Sequence, residues 1–150
     1  MPSTPLDVDQ VRRTLLVLPV AAGAIYLFGY SERPEMKFDV KEVLLEEAKT
    51  LIAAGALILD VRERAAYETR HIAGALLAPV SSLVAAIPAS LEVARTMPLV
   101  VYCGDGTTLG PKGTHILNKA GFASAVNLKP GIQGWASAGL PIEQGPGKQA

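Results

Sequence analysis

The segment from Leu99 to Pro111 constrains the fold more than any other part of this sequence. Leu99–Tyr102 is a short, apolar and β-branched run, typical of a buried strand, and it leads into Cys103, the only cysteine of the 150-residue chain. A glycine-rich bend follows, and a helical pattern opens at Pro111, which we place at the first helical position. A strand that passes through a tight loop into a helix predicts an α/β fold with a parallel sheet.

The rest of the chain continues this alternation of strands and helices. Residues with helical spacing cover Val40–Ala54, and Phe38 begins a small edge strand in our interpretation. Further strands are predicted at 56–59, 75–77 and 125–128, and further helices at 65–68, 81–87, 89–95, 111–119 and 132–137. We therefore expect an α/β domain whose parallel sheet is covered by helices on both faces.

An uncharged stretch of eighteen residues, Thr14–Ser31, precedes this domain. As a helix it would span roughly 27 Å, enough for the hydrocarbon core of a bilayer. We interpret it as an uncleaved membrane anchor preceded by Arg12 and Arg13. The resulting map has an N-terminal tail (1–13), a transmembrane helix or signal segment (14–31), a linker (32–37), the folded domain (38–142) and a disordered tail (143–150).

A cleaved signal peptide is the alternative to the anchor, because Ala22–Gly23–Ala24 has the small-x-small form of a cleavage site. The positive-inside rule, applied to Arg12 and Arg13, puts the N-terminus in the cytoplasm and the domain on the periplasmic or external side. A cytoplasm-facing domain, or a secreted one after cleavage, stays open at this point.

Composition narrows the range of functions. Fourteen basic residues balance fourteen acidic ones, so no overall field attracts nucleic acid. A single cysteine excludes an intrachain disulfide and a multi-cysteine metal site. Any thiol chemistry must therefore use Cys103 without a resolving partner in the same chain, and we expect no metal or organic cofactor.

Two places carry polar residues where ligands bind in parallel α/β folds, beyond the carboxyl ends of strands. One is Asp60–Arg62 and the other is Cys103. A buried structural cysteine is the plain alternative for Cys103. The glycines that follow it favour chemistry, because a tight loop and a helix N-terminus direct N–H groups toward the sulfur and stabilise a thiolate.

The motifs around these two places resemble those of rhodanese-type sulfurtransferases. The first signature comprises Leu59–Arg62, Tyr67 and His71–Ala75; the second comprises Val101–Cys103, Gly106, Ala120–Phe122, Val126–Leu128, Gly131–Ile132 and Trp135. Together they extend from Phe38 to about Ile142. The resemblance implies a five-stranded parallel sheet. We interpret Asp60, Arg62 and His71 as framework residues: a carboxylate and a cation at a strand end, and a histidine that fixes a turn.

The resemblance also implies an activity. Cys103 would accept a sulfane sulfur from a small anionic donor, thiosulfate or 3-mercaptopyruvate, hold it as a persulfide, and pass it to a thiol or cyanide. The implied persulfide-binding loop is Gly104, Asp105, Gly106, Thr107, Thr108 and Leu109, and the candidates for steering an anion are Arg62 and Lys112. A membrane-tethered binding or sulfur-carrier module with little turnover is the second hypothesis, and no protein partner is identified.

This loop departs from the family pattern in its charge. Thr108 stands where many single-domain members carry arginine, and Cys103–Thr108 is closer to the Cys-Gly-x-Gly-x-Thr loop of mercaptopyruvate sulfurtransferases. Asp105 places a negative charge beside the expected anion site, which should weaken thiosulfate binding unless Lys112 or an arginine compensates. A cysteine phosphatase is excluded, because Leu109 occupies the position where that class needs arginine.

Overall fold

The computed structural model describes residues 37–150. The predicted tail (1–13), the membrane or signal segment (14–31) and all but the last residue of the predicted linker lie outside these described residues. Within residues 37–150, no helix combines the length and the apolar character that crossing a bilayer requires.

The described residues form short strands and helices in alternation. In chain order they are β1 (Glu42–Val43), α1 (Leu45–Ala53), β2 (Leu57–Asp60), α2 (Arg64–Thr69), β3 (His71–Ile72), β4 (Leu76–Leu77), α3 (Val80–Ala85), a 3-10 helix (Ala89–Ala94), β5 (Leu99–Tyr102), α4 (Leu109–Lys119), β6 (Ala125–Leu128), α5 (Gly131–Ser137), β7 (Ile142–Glu143) and β8 (Lys148–Gln149). The predicted strands at 99–102 and 125–128 have these bounds in the structure.

One parallel sheet organises these elements, with the strand order β1-β6-β5-β2-β4-β8. The strand that leads to Cys103 is interior, paired with β2 on one side and β6 on the other. In register, Val101 lies between Leu59 and Asn127. β3 and β7 form a separate antiparallel pair. The α/β class and the parallel sheet predicted from the sequence are confirmed.

Side chains of β5 alternate between two apolar cores, as the pleat of a strand requires. Val100 and Tyr102 join the core on one face, which is covered by α1, α2 and α5. Leu99, Val101 and Cys103 join the core on the other face, which is covered by α3, the 3-10 helix and α4. All five are at most 1% exposed, so Cys103 ends a strand that is buried on both sides.

The N-terminal edge of the sheet differs from the prediction. α1 begins at Leu45 rather than Val40, and the edge strand is Glu42–Val43 rather than a segment at Phe38. The reason is non-local: Asn127 N–H donates to Lys41 O at 2.9 Å, and β1 completes the open edge of β6. Hydrogen bonds to a strand far along the chain therefore override the helical spacing.

The C-terminal residues also differ from the prediction of a disordered tail at 143–150. β7 pairs with β3, and β8 extends the parallel sheet beside β4, so the sheet has six strands rather than five. Ala150 N–H donates to Leu77 O at 3.1 Å. The short strand β4 leaves an edge of unpaired backbone groups, and this segment satisfies them.

A buried ion pair closes the end of β2. Asp60 is fully buried, and its carboxylate accepts hydrogen bonds from Arg62 Nη2 at 2.7 Å and Nε at 3.0 Å. Burial by itself would lower the pKa of Arg62, but the hydrogen bond and the charge of Asp60 outweigh it and raise that pKa. Arg62 Nη2 also donates to Arg70 O at 2.7 Å, so this pair fixes the segment that includes α2.

Tyr67 and His71 form a second buried polar cluster. Tyr67 Oη donates to Ala75 O at 2.7 Å and accepts from Lys148 N–H at 3.1 Å, linking β4 to β8. The His71 ring stacks on the Tyr67 ring with centroids 3.8 Å apart, and His71 Nδ1 lies 2.8 Å from Tyr67 O. These contacts support the interpretation of His71 as a framework residue.

The buried ion pair leads to a stability prediction. Arg62→Met leaves the Asp60 carboxylate buried without its cation, which should lower the free energy of unfolding by about 3–5 kcal/mol, measured by urea denaturation. The matched control is Arg64→Met, because the Arg64–Glu68 pair is half-exposed and should contribute less than about 1 kcal/mol. Equal effects of the two variants would contradict this account of Asp60.

The tail contacts lead to a second stability prediction. Tyr67→Phe should lower the free energy of unfolding by about 1–3 kcal/mol, because the buried Ala75 O loses its hydrogen-bond donor. Removing residues 146–150 should also destabilise the protein. The combined variant should lose less than the sum of the two effects, since both remove the link to Lys148. A neutral truncation would restore the prediction of a loose tail.

Candidate functional site

Cys103 lies directly beyond the carboxyl end of β5 and is 1% exposed. Its Sγ lies 3.2 Å from the position that a Cβ on Gly110 would occupy. Gly110 is the second residue of α4, an eleven-residue helix. The sulfur therefore packs against the first turn of this helix, where free N–H groups and the helix dipole favour a negative charge.

Gly110 allows this close packing because it has no side chain. A Cβ at this position would overlap Asn127 Oδ1 as well as crowd Cys103 Sγ. The helix begins at Leu109, two residues before the predicted start at Pro111. Pro111 sits third in the helix, where its missing N–H costs no intrahelical bond. The loop between strand and helix is therefore residues 103–108, and Leu109 belongs to the helix.

The first turn of α5 holds the beginning of this loop. Ile132 N–H donates to Cys103 O at 3.0 Å, and Gln133 N–H donates to Gly104 O at 2.9 Å. These bonds use N–H groups at the start of a helix, which otherwise need partners outside it. The backbone on both sides of the cysteine is thus fixed by an element that follows it by almost thirty residues.

Asn127 holds the middle of the loop. Its side chain is fully buried, and Nδ2 donates to Gly106 O at 2.9 Å. Gly106 has φ +80°, and a Cβ there would lie 2.7 Å from Leu128 O, so only glycine fits this turn. Asn127 pairs with Val101 in register, which points its side chain to the same face as Cys103.

The amide oxygen of Asn127 lies on the other side of this group. Asn127 Oδ1 is buried, has no hydrogen-bond partner among residues 37–150, and faces Gly110, on which Cys103 Sγ also packs. Sequence reasoning did not single out Asn127, which appeared only as part of a motif. The available signal was a lone polar residue inside the strand Ala125–Leu128, since a buried amide needs a specific hydrogen-bond partner.

Asp105 is the first exposed side chain after the cysteine. Its Oδ1 accepts hydrogen bonds from Thr107 N–H at 2.9 Å and from Thr107 Oγ1 at 2.8 Å. These bonds, the backbone one foremost, hold the pKa of Asp105 below its ordinary value. Asp105 is therefore a fixed negative charge at neutral pH. Thr107 and Thr108 are also exposed, as is Leu109 at the start of α4, so these side chains form the solvent-facing surface of the site.

The two proposed steering cations do not lie beside the sulfur. Arg62 binds Asp60 and lies over the Tyr102 ring, 5.7 Å from its centroid. Tyr102 belongs to the opposite core from Cys103, so Arg62 is on the other face of the sheet. Lys112 lies two residues beyond Gly110, about 200° around the helix from the face that packs on the sulfur.

A shallow cleft occurs elsewhere on the described part of the chain. Its walls include Asp39, Lys41, Pro98 and Ser124, which lie near the amino ends of β5 and β6. The cleft therefore lies at the amino ends of the strands, whereas Cys103 lies at their carboxyl ends. Among residues 37–150, no group of three or more His, Cys, Asp or Glu side chains is arranged to hold a metal ion.

The sequence matches a family model for the rhodanese-like domain over residues 44–138. Among curated proteins, the uncharacterized protein YibN of Escherichia coli K12 is 35% identical over 107 residues, which cover 71% of this chain and 74% of YibN. Residues 44–138, which match the family model, include Asp60–Arg62 and the Cys103 loop.

Solved structures give the same result. The Alr3790 protein from Anabaena matches with a TM-score of 0.59 and 31% identity. The match covers 69% of this chain and 80% of the Alr3790 chain. The human single-domain sulfurtransferase TSTD1 has a TM-score of 0.52 and 32% identity, covering 64% and 95%. By sequence and by structure, the chain belongs to the rhodanese-like domain family.

Proposed function

We propose that the protein is a sulfurtransferase in which Cys103 carries a sulfane sulfur as a persulfide and passes it to a thiol or cyanide. The observation that carries this proposal is the packing of Cys103 Sγ on Gly110, in the first turn of α4. Both the thiolate and the outer sulfur of a persulfide carry negative charge, which this position stabilises. The similarity to the human single-domain sulfurtransferase supports the same reaction.

The transfer is balanced without an external oxidant. The Cys103 thiolate attacks the outer sulfur of the donor, and a sulfur–sulfur bond forms as the donor's own bond to that sulfur breaks. The donor remnant leaves with the bonding electron pair. An acceptor thiolate or cyanide then attacks the outer sulfur of the Cys103 persulfide, which regenerates the Cys103 thiolate.

The loop contributes geometry rather than acid–base chemistry to this proposal. Its start is held by Ile132 and Gln133 N–H groups, and its middle is held by Asn127. A loop fixed before the donor arrives loses little conformational entropy on binding, which favours transfer. The sequence leaves thiosulfate and 3-mercaptopyruvate open as small donors.

A sulfur-carrier module with little turnover is the second hypothesis from the sequence. It predicts that Cys103 loads with sulfur but that steady transfer to cyanide or a thiol stays negligible. Turnover and loading therefore distinguish an enzyme from a carrier when both are measured on the same preparation.

The first functional prediction concerns the nucleophile. Cys103→Ser in the full chain should abolish both the mass gain of one sulfur atom and sulfur transfer to cyanide, because a serine hydroxyl forms no persulfide. Intact-mass spectrometry after incubation with donor measures loading. His115→Ala, a change on the half-buried part of α4, serves as the control and should keep both activities. Full transfer by Cys103→Ser would disprove the mechanism.

The second functional prediction concerns Asn127 as a positioning residue. Asn127→Ala should reduce the loading rate about tenfold, because Gly106 O loses its donor and the loop loosens. Asn127→Asp should also shift the pH profile of loading upward, since a carboxylate beside the sulfur opposes the thiolate.

The matched control for this prediction is Asn118→Ala. Asn118 Nδ2 donates to Phe122 O at 2.9 Å and Ala125 O at 3.2 Å, at the other edge of the sheet. Both alanine variants should lose about 1–3 kcal/mol of stability, but only Asn127→Ala should load slowly. Equal loading by the two variants would show that Asn127 serves the fold alone.

A further inference from the structure

We propose that the physiological sulfur donor carries a positive charge beside its sulfur, as an amine-bearing persulfide or a persulfidated cysteine flanked by lysine or arginine does. This inference rests on the proposed function and specifies its substrate class. It departs from the small anionic donor that the family resemblance implies, and the reason is the distribution of charge around the Cys103 loop.

Asp105 gives the loop a negative charge that no cation neutralises in the described part of the chain. Its carboxylate accepts hydrogen bonds from the N–H and hydroxyl of Thr107, which are neutral groups. The loop itself, residues 103–108, contains no lysine or arginine. Cys103 is buried and Asp105, two residues later, is exposed. In this proposal, a donor that arrives from solvent passes this carboxylate before its sulfur reaches the thiolate.

The three basic residues considered for neutralising Asp105 either pair with another carboxylate or lie away from the loop. The Cα of Lys129 lies 3.0 Å from the position that a Cβ on Gly106 would occupy, but its ammonium pairs with the Glu42 carboxylate at 3.3 Å. Arg62 is paired with Asp60 on the other face of the sheet. Lys112 is on the far side of α4 from Cys103.

The consequence is a charge preference in the approach of the donor. A dianion such as thiosulfate is repelled by Asp105, and a cation is attracted. For unit charges about 7 Å apart, the effect on the loading rate is about threefold per unit of charge at the dielectric constant of bulk water and about fiftyfold at the lower value near a protein surface, and salt reduces it. The helix N-terminus stabilises the transferred sulfur itself, whereas Asp105 acts on the part of the donor that stays outside.

The transfer step is the same as in the proposed function. The Cys103 thiolate attacks the terminal sulfur of R–S–SH, a new sulfur–sulfur bond forms on Cys103, and the sulfur–sulfur bond of the donor breaks. The products are the Cys103 persulfide and R–S⁻. The sulfur gained by one partner is lost by the other, and no net oxidation occurs.

The test uses three persulfides that share a two-carbon chain and differ in one group: an ammonium (from cysteamine), a hydroxyl (from 2-mercaptoethanol) and a sulfonate (from 2-mercaptoethanesulfonate). The rate of persulfide formation on Cys103 of the full chain is measured by intact mass, with thiosulfate in parallel. We expect the order ammonium, hydroxyl, sulfonate, with thiosulfate slowest, and a narrower range at high salt.

Two matched variants assign the effect to the loop. Asp105→Asn should make the loading rates of the three persulfides nearly equal, and Asp105→Lys should reverse the order of these rates. Asp39→Asn removes the same charge at the opposite edge of the sheet, so it should leave the order unchanged. An Asp39→Asn effect as large as that of Asp105→Asn, or fastest loading from the sulfonate or thiosulfate, would overturn the inference.

A second pair of donors identifies the source of the cation. A Gly-Lys-Cys-Lys-Gly persulfide is compared with its Glu-flanked counterpart and with cysteamine persulfide. Faster loading from the Lys peptide than from cysteamine indicates a polypeptide donor, and the reverse indicates a small amine; both results support the charge preference. Failure to load from every donor would instead disprove the proposed sulfur transfer, so the two failures are distinct.

Discussion

The backbone carbonyls of Cys103 and Gly104 accept hydrogen bonds from the first turn of α5, and the site depends on these two bonds. They fix the direction in which the chain leaves β5, and hence the position of the loop before α4. Helix α5 can supply them because β6 lies beside β5 in the sheet and delivers the chain to that edge. The order of the strands therefore becomes a constraint on the nucleophile.

The packing of Cys103 and Asn127 against Gly110 is the second consequence of that order. The three residues meet on one face of the sheet because the register sets Asn127 opposite Val101 and because glycine opens the first turn of α4. The amide donates to Gly106 O, and among the described residues its Oδ1 has no hydrogen-bond partner. Buried polar atoms without partners are uncommon and cluster where function requires them.

The acidic residues Asp60 and Asp105 lie in different electrostatic surroundings. On one face, Asp60 and Arg62 neutralise each other in a buried pair that also binds Arg70 O, and this pair supports the fold. At the Cys103 loop, Asp105 keeps its charge, since its hydrogen bonds come from the neutral groups of Thr107. One acidic residue therefore serves the structure, and the other is available to select a substrate.

The sequence alone determined the α/β class, the strand bounds at 99–102 and 125–128, and Cys103 as the candidate nucleophile. These features depend on local signals: apolar runs, glycine-rich turns and a single thiol. Tertiary structure decided the rest. The sheet edges at β1 and β8 form by pairing with distant strands, against a local preference for helix or disorder. Likewise, only the folded chain shows that Arg62 and Lys112 lie away from the sulfur, and that Asn127 packs with the sulfur against Gly110. The reason is that sequence spacing does not specify which face of a helix packs on which face of a sheet.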